Sequence, residues 1–445
     1  MQVSFCQEAF LNTVMAVQEQ IQDKGRTPED ILLASPLLNN GNLKMSNSES
    51  IFKQNSLTPY MRVLIMGIDG YIGWPLALRL LREGHEVTGI DNFYTRRRVR
   101  EVHSESALPI GSMEKRIAKA SELGFGEIKF IRGDVSNSEI MHEVIKETQP
   151  EAVVHLAEQR SAPYSMIGLR QAKETMVKNI VSTINLIYEI KDQVPNCHIL
   201  KLGTMGEYGT PNIDIPEGFF DIEYRGRKDH LPFPKNAGSW YHWTKVHDSN
   251  NLMFANRVWK LSVTDVMQGV VYGTRTEEIS GPGLYTRFDT DEVWGTALNR
   301  FCAQAVAGLP ITPYGRGNQA RGFLSLEDSV SCLALGIRKP PERGEYRVYN
   351  QFDEYYTVNH LAETVQQVYH DDTGKTAEIK HVENPRVELE DHYYNPENQK
   401  LKDLGYRRKR ELKQEISVIL KDLEKYRSRI LKHQDSIMPK TIWKA

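Results

Sequence analysis

Arg62-Val-Leu-Ile-Met-Gly-Ile-Asp-Gly-Tyr-Ile-Gly73 decides the fold. Its apolar opening, Arg62–Met66, reads as a short strand buried on both faces. Gly67, Gly70 and Gly73 then form a G-x-x-G-x-x-G turn, and a helix pattern runs from about Trp74 to Glu83. Glycines let the backbone turn tightly and approach a pyrophosphate with no Cβ in the way, while the helix N-terminus faces the negative charge. Glycine spacing alone says little, but its surroundings agree. Gly84-His85 closes the helix, Glu86–Ile90 makes the next strand, and Asp91 stands at its end, 18 residues past Gly73. A carboxylate there suits an adenosine ribose diol and disfavours a 2′-phosphate, which points to NAD rather than NADP. Arg96-Arg-Arg98 is a counter-signal, because arginines could hold that phosphate.

Outward from this unit the alternation continues. A helical region near Ser112–Leu123 leads to a strand at Ile128–Ile131, a helix over Ser138–Thr148 and a strand at Glu151–Leu156. His198–Leu202 and Ser262–Val266 read as later strands. Strands separated by helices predict βαβ units, hence an α/β, Rossmann-type doubly wound parallel sheet. Beyond Gly269 the pattern breaks at Gly281-Pro-Gly283, Gly308-Leu-Pro310 and Lys339-Pro-Pro341, as expected of a smaller C-terminal nucleotide-sugar-binding lobe interleaved with the first domain. The expected organisation is residues 1–60 as an extension, 61–268 as the dinucleotide domain and 269–445 as mainly the substrate lobe. In the extension, Phe10, Val14, Val17 and Ile21 recur at helical spacing and Asn39–Ser56 reads as a linker; the piece is expected to be partly disordered, the alternative being a helix that docks on the body or on a partner. The charged stretch Leu412–Gln434 reads as a solvated surface helix.

Composition narrows the function. With 56 Lys+Arg against 58 Asp+Glu the net charge is −2, which excludes a generic binder of nucleic acid. No apolar run approaches the roughly 18 residues a membrane span needs. Four widely spaced cysteines make neither a disulfide framework nor a metal site, and fit a reducing cytoplasm.

Tyr241-His-Trp-Thr-Lys245 puts a phenol and an ammonium one helical turn apart on one face. A tyrosine titrates near 10, and an ammonium held close is expected to lower that enough for the phenolate to take a hydroxyl proton as a hydride leaves to NAD. Thr204 follows the His198–Leu202 strand, where its hydroxyl can reach the same oxygen. Asp134 and Val135, after the Phe130 strand, suit the adenine edge.

These residues resemble the extended short-chain dehydrogenase/reductases that act on nucleotide sugars. Longer runs are similar to the UDP-sulfoquinovose synthase family: His155-Leu-Ala-Glu-Gln-Arg-Ser-Ala-Pro-Tyr-Ser-Met166, Leu202-Gly-Thr-Met-Gly-Glu-Tyr-Gly-Thr-Pro-Asn-Ile-Asp-Ile215, Lys245-Val-His-Asp248, Gln268-Gly-Val-Val-Tyr-Gly273, Gly295-Thr-Ala-Leu-Asn-Arg-Phe301, Asn384-Pro-Arg-Val-Glu388 and His392-Tyr-Tyr-Asn395. The resemblance spans roughly Met61 to the C-terminus. It implies conversion of UDP-glucose and sulfite to UDP-sulfoquinovose with NAD bound and recycled. The sugar C4 is oxidised with help from Tyr241 and Thr204, the ketone acidifies C5–H, water leaves C6, sulfite adds to the 4-keto-5-ene, and C4 is reduced again.

The resemblance also implies the site residues. The glycine turn (Gly67, Asp69, Gly70, Tyr71, Ile72, Gly73) would take the pyrophosphate, Asp91 the ribose, and Asp134 and Val135 the adenine, with Asn92 and Arg96 also on the cofactor, the arginine at its phosphates. Arg160, Asn179, Tyr241, Lys245 and Val271 would meet the nicotinamide half. Gln268 and Thr204 would contact the sugar. Asn299, Arg300, Thr312, Tyr314, Arg321, Arg386 and Glu388 would hold UDP, and Arg160 would offer sulfite a cation. The related 4,6-dehydratases carry Thr-Asp-Glu where this chain has Thr204-Met205-Gly206, so the usual acid and base are missing. His242 and Glu207 are the candidates to move the C5 proton, with Lys201 and Glu158 behind them. Homodimerisation through two helices per subunit follows from superfamily analogy. Whether sulfite arrives free or from a partner protein stays open. The rival readings are another NAD-retaining 4-epimerase or dehydratase, and a non-catalytic NAD-binding member.

Overall fold

Val63 and Ile65 belong to one buried apolar cluster, and Leu64 and Met66 to another. A strand buried on both faces needs helices on both sides of its sheet. The computed structural model, which describes residues 60–386 and 391–440, has that arrangement. The helix expected around Phe10–Ile21, the linker Asn39–Ser56 and Glu388 lie outside the described residues.

β1 (Arg62–Met66) pairs with β2 (Glu86–Asp91), and β2 with β3 (Ile128–Arg132). The chain then crosses to the other edge of β1, where β4 (Ala152–His155) and β5 (His198–Thr204) follow. β6 (Phe219–Tyr224) and β7 (Arg227–Pro232) form a separate antiparallel hairpin. β8 (Ser262–Gln268) lies beside β5. The short β9 (Val270–Tyr272) and β10 (Ala320–Ser325) start a second sheet. β11 (Tyr346–Gln351) returns to the edge of the first, and β12 (Glu354–Thr357) completes the second. The main sheet has seven strands in the order β11-β8-β5-β4-β1-β2-β3, all parallel. This is the doubly wound α/β architecture that the alternation predicts.

Helix boundaries follow local chemistry. Ser112 and Asn137 cap the helices Met113–Glu122 and Ser138–Thr148 by accepting the Lys115 and Ile140 N–H groups. Among the described residues, no helix is long and apolar enough to cross a membrane.

The C-terminal stretch corrects the expectation of a solvated helix. It divides into Leu412–Glu424, Arg427–Lys432 and Gln434–Ile437. Leu412, Ile416, Ile419, Leu420 and Leu423 form one stripe buried in the main core. The charges occupy only the remaining faces, and Asp422 turns inward to accept from Thr274 and Arg275. The helix is therefore part of the fold. Ile416→Ala should cost about 2–5 kcal/mol, read as a lower midpoint in urea unfolding of the full chain.

Candidate active site

The C-terminal ends of β1, β2, β4, β5 and β8 open on one cavity of about 620 Å³. It lies where the strand order reverses, between β1 and β4, the crevice at which open parallel sheets receive ligands. Asp91 and Asp134 line one end, the glycine turn and Tyr241 the middle, and Arg300, Arg321 and Arg386 the other.

At the first end Gly67 has φ +93°, and a Cβ on Gly73 would come within 2.3 Å of the Gly67 carbonyl oxygen. Only glycine permits this turn. The helix Gly73–Arg82 begins with no side-chain cap, so its first-turn N–H groups remain available to an anion. Asp91 accepts the N–H groups of Asp69 (2.9 Å) and Phe93 (2.7 Å), and burial, with the charge of Asp69, lifts its pKa to about 6. Arg96 stands outside the wall: its guanidinium forks onto the Asp69 carboxylate, with both contacts at 2.6 Å. Arg97 donates to the Asn92 carbonyl, and Arg98 pairs with Glu101 and Glu174. The arginine cluster that countered the NAD reading is thus engaged within the protein. Asp134 is held by Lys178 (2.6 Å) and Ser136.

The helix Trp240–Trp259 carries Tyr241 and Lys245 to the cavity wall, one turn apart. Ser239 caps it by accepting the His242 N–H (3.2 Å), and the Tyr241 N–H donates to Ser165 Oγ (3.1 Å). The simple picture of an ammonium lowering the phenol does not hold. Burial raises the Tyr241 pKa, Glu158 and Glu207 raise it further, and Lys201 and Arg160 offset only part. Lys245 is in a close ion pair with Glu158, so its charge is already matched.

Thr204 ends β5, its Oγ1 accepting the Gly206 N–H (3.1 Å) and its own N–H donating to Glu207 (3.2 Å). Burial alone would raise the Glu207 pKa, but Lys201 (3.1 Å) and Lys235 (2.5 Å) outweigh it and hold the group at about 2. Such a carboxylate anchors the Thr204 loop and makes a poor base. Lys201 is equally committed, between Glu207, Asp265 and Ser249. His242 is different. Its Nδ1 lies 3.0 Å from Ser239 Oγ, and a Cβ on Gly206 would fall 2.5 Å from its Nε2. The imidazole occupies the space that a side chain at 206 would take.

At the far end Arg160 donates to the Trp294 carbonyl (2.9 Å) and Asp289 (2.5 Å). Arg287 shares Asp289 at 2.7 Å and also lines the cavity. Neither Arg287 nor Asp289 was legible in the sequence, because their irregular loop carries no periodicity. Arg300 donates to the Tyr314 hydroxyl (2.8 Å) and the Thr312 carbonyl (3.2 Å), and stacks on the Tyr314 ring. Arg321 contacts His392 (2.9 Å), while Gln268 donates to Ser329 and Gln351 (both 2.7 Å). Asn92, Val135 and Val271 lie in the wall.

Asn179, Asn299 and Thr312 do not. Asn179 spends its amide on the Gln159 N–H, the Gln159 carbonyl and Thr244, so it holds the loop that presents Glu158 and Arg160. Thr312 accepts from Gln304, and Asn299 is buried beside Tyr71.

Residues 63–350 match the NAD dependent epimerase/dehydratase family. The chain is 50% identical to a UDP-sulfoquinovose synthase of Sulfolobus acidocaldarius over 385 residues, covering 86% of this chain and 98% of that one. It is 44% identical to the chloroplastic UDP-sulfoquinovose synthase of Spinacia oleracea over 407 residues, 91% of this chain and 84% of the relative. Its fold is similar to that of a UDP-glucuronic acid 4-epimerase from Bacillus cereus, solved with UDP-glucuronic acid and NAD (TM-score 0.62, 18% identity, 82% of this chain and 99% of the other).

In Gly206→Ala the His242 ring has to leave its place. Catalytic activity should then fall about 10²-fold, the size of a general acid–base contribution, while the melting temperature stays within a few degrees. Unchanged activity would mean that the ring position does not matter.

Proposed function

The chain belongs to the NAD dependent epimerase/dehydratase family and, within it, to the UDP-sulfoquinovose synthases, and from that premise we propose how its residues carry out the reaction. It is an enzyme that makes UDP-sulfoquinovose from UDP-glucose and sulfite. The observation that carries the residue assignment is the shared wall of Thr204, Tyr241, Lys245 and His242, with Gly206 where a dehydratase would place an acid.

The dinucleotide end fits NAD: a turn in which a Cβ would collide, an uncapped helix start beyond it, and Asp91 at the end of β2. Gly67, Gly70 and Gly73 would hold the pyrophosphate, and Asp91 and Asn92 the ribose. When bound, the nicotinamide supplies the acceptor for the C4 hydride and its later donor. Tyr241 and Thr204 hold the C4 oxygen, and Tyr241 takes its proton. The C4 ketone acidifies C5–H. His242 removes that proton and returns it to the departing C6 hydroxyl, a role that Glu207, held near pKa 2, cannot fill. Arg160 receives the sulfur nucleophile as hydrogensulfite; its sulfur adds at C6, and its proton passes by way of His242 to C5, which restores the saturated ring before C4 is reduced. Arg300, Arg321 and Arg386 neutralise the UDP phosphates, and Tyr314 and Gln268 complete the nucleotide and sugar contacts. The dehydratase reading is disfavoured by Met205-Gly206, which offers no carboxylate, and the epimerase reading by the 50% and 44% identity to UDP-sulfoquinovose synthases.

The exposed apolar row Val177, Val181, Ile184 and Tyr188 on the helix Leu169–Gln193, beside Phe254 and Val258 on Trp240–Trp259, supports a homodimer built on these two helices. Val181→Glu should convert it to a monomer in sedimentation velocity; an unchanged mass removes this reading. For the reaction, purified protein with UDP-glucose should yield a sulfonated nucleotide sugar by mass spectrometry only when sulfite is present. Tyr241→Phe should lower turnover about 10²–10⁴-fold with NAD still bound. Product without sulfite, or full turnover in that variant, overturns the mechanism.

A further inference from the structure

Glu158 has no part in the steps above, yet it is the charged partner of Lys245. It follows β4 at the cavity wall, and the two side chains are 3% and 4% exposed. Beyond Lys245, neither carboxylate oxygen has a hydrogen-bond partner among the described residues. The His155 ring lies 3.8 Å away, kept neutral by burial and by the charges of Lys245 and Lys201. Lys201, Glu207 and Asp248 are the other charged groups that bear on it, and burial pushes its own pKa up against the pull of Lys245. A buried carboxylate with one partner is costly to keep. It also works against Tyr241, since its charge raises the phenol. A phenol cannot accept a proton unless it passes its own proton on.

We propose that Glu158 is the terminal acceptor of a relay from the sugar C4 hydroxyl through Tyr241 and Lys245, so that the protein stores the proton while the cofactor stores the hydride. The proposal rests on the C4 oxidation set out above. The O–H bond at C4 breaks and its proton bonds to Tyr241 Oη. The Tyr241 proton passes through a bridging hydroxyl to Lys245, one helical turn away on the same helix, and one lysine proton passes to Glu158 across their ion pair. C4=O forms, and the C4–H electron pair would go as hydride to the oxidised nicotinamide of a cofactor that the glycine turn and Asp91 would hold. Tyr241 ends as a phenol, Lys245 as an ammonium and Glu158 as a neutral acid. Glu158 loses its negative charge in the same step in which a bound nicotinamide would lose its positive one, so no charge would be left separated in the low-dielectric pocket. Reduction of C4 at the end of the cycle runs the same path backwards. Glu158 acts through Lys245 and never touches the sugar, which makes it a positioning residue.

The test uses Glu158→Gln in the full chain, which keeps shape and removes charge. Phenolate absorbance is titrated in wild type minus Tyr241→Phe, and in Glu158→Gln minus the double variant, to isolate Tyr241 among the tyrosines. The freed ammonium should move the Tyr241 titration down by about one pH unit or more. The kcat/KM profile should lose its acid limb, because an acceptor must start ionised, and the rate at pH 7 should fall about 10²-fold. Glu158→Asp, which keeps the charge, should restore the limb in part. An unshifted Tyr241 titration, or an unchanged limb in Glu158→Gln, overturns the relay even where sulfonated product is made. A shifted titration in a protein that makes no such product keeps the coupling and overturns the C4 reading instead.

Discussion

Parallel strands cannot be joined by tight turns; each needs a crossover that returns the chain to the same starting edge. Every strand of the main sheet therefore ends on one side of the molecule. Gly67, Asp91, Leu156, Thr204 and Gln268, which lie far apart in sequence, come out on one rim for that reason alone. The reversal between β1 and β4 then opens a gap that the flanking helices do not cover. Glycines line that gap because the backbone itself has to meet the ligand.

Behind the rim lies a dense set of buried charges. Lys201 joins Glu207 and Asp265, Glu207 joins Lys235 and the Thr204 N–H, and Glu158 joins Lys245. Breaking any one such pair by truncation leaves an uncompensated buried charge, typically worth 3–5 kcal/mol. The network thus holds Thr204 and Lys245 in place. Burial first, and then the charges of Glu158 and Glu207, push the Tyr241 pKa up, against the pull of Lys201 and Arg160.

The absence of carboxylates at 205 and 206 works by volume as well as by charge. His242 can lie over the Thr204 loop only because residue 206 has no side chain. The bare backbone at 206 and the imidazole at 242 are therefore coupled by space, although they stand on two separate elements.

The sequence by itself determined six of the seven main-sheet strands to within about two residues, the helix Ser138–Thr148, the dinucleotide turn and the Tyr241/Lys245 spacing, and its longer runs pointed to the family; β11, the hairpin and the second sheet were not read from it. The elements follow from periodicity and backbone geometry over about a dozen residues, whereas the family follows from the resemblance of longer runs such as His155–Met166. Tertiary structure alone decided which side chains reach the cavity. Asn179 and Thr312 matched a motif yet point to neighbouring protein groups, whereas Arg287 and Asp289 matched none and stand beside the wall. It also decided that the charged C-terminal helix docks on the core, and that Lys245 faces Glu158, 87 residues earlier. Pairings of that kind depend on sheet order and on which layer a side chain enters, and no short-range pattern encodes either.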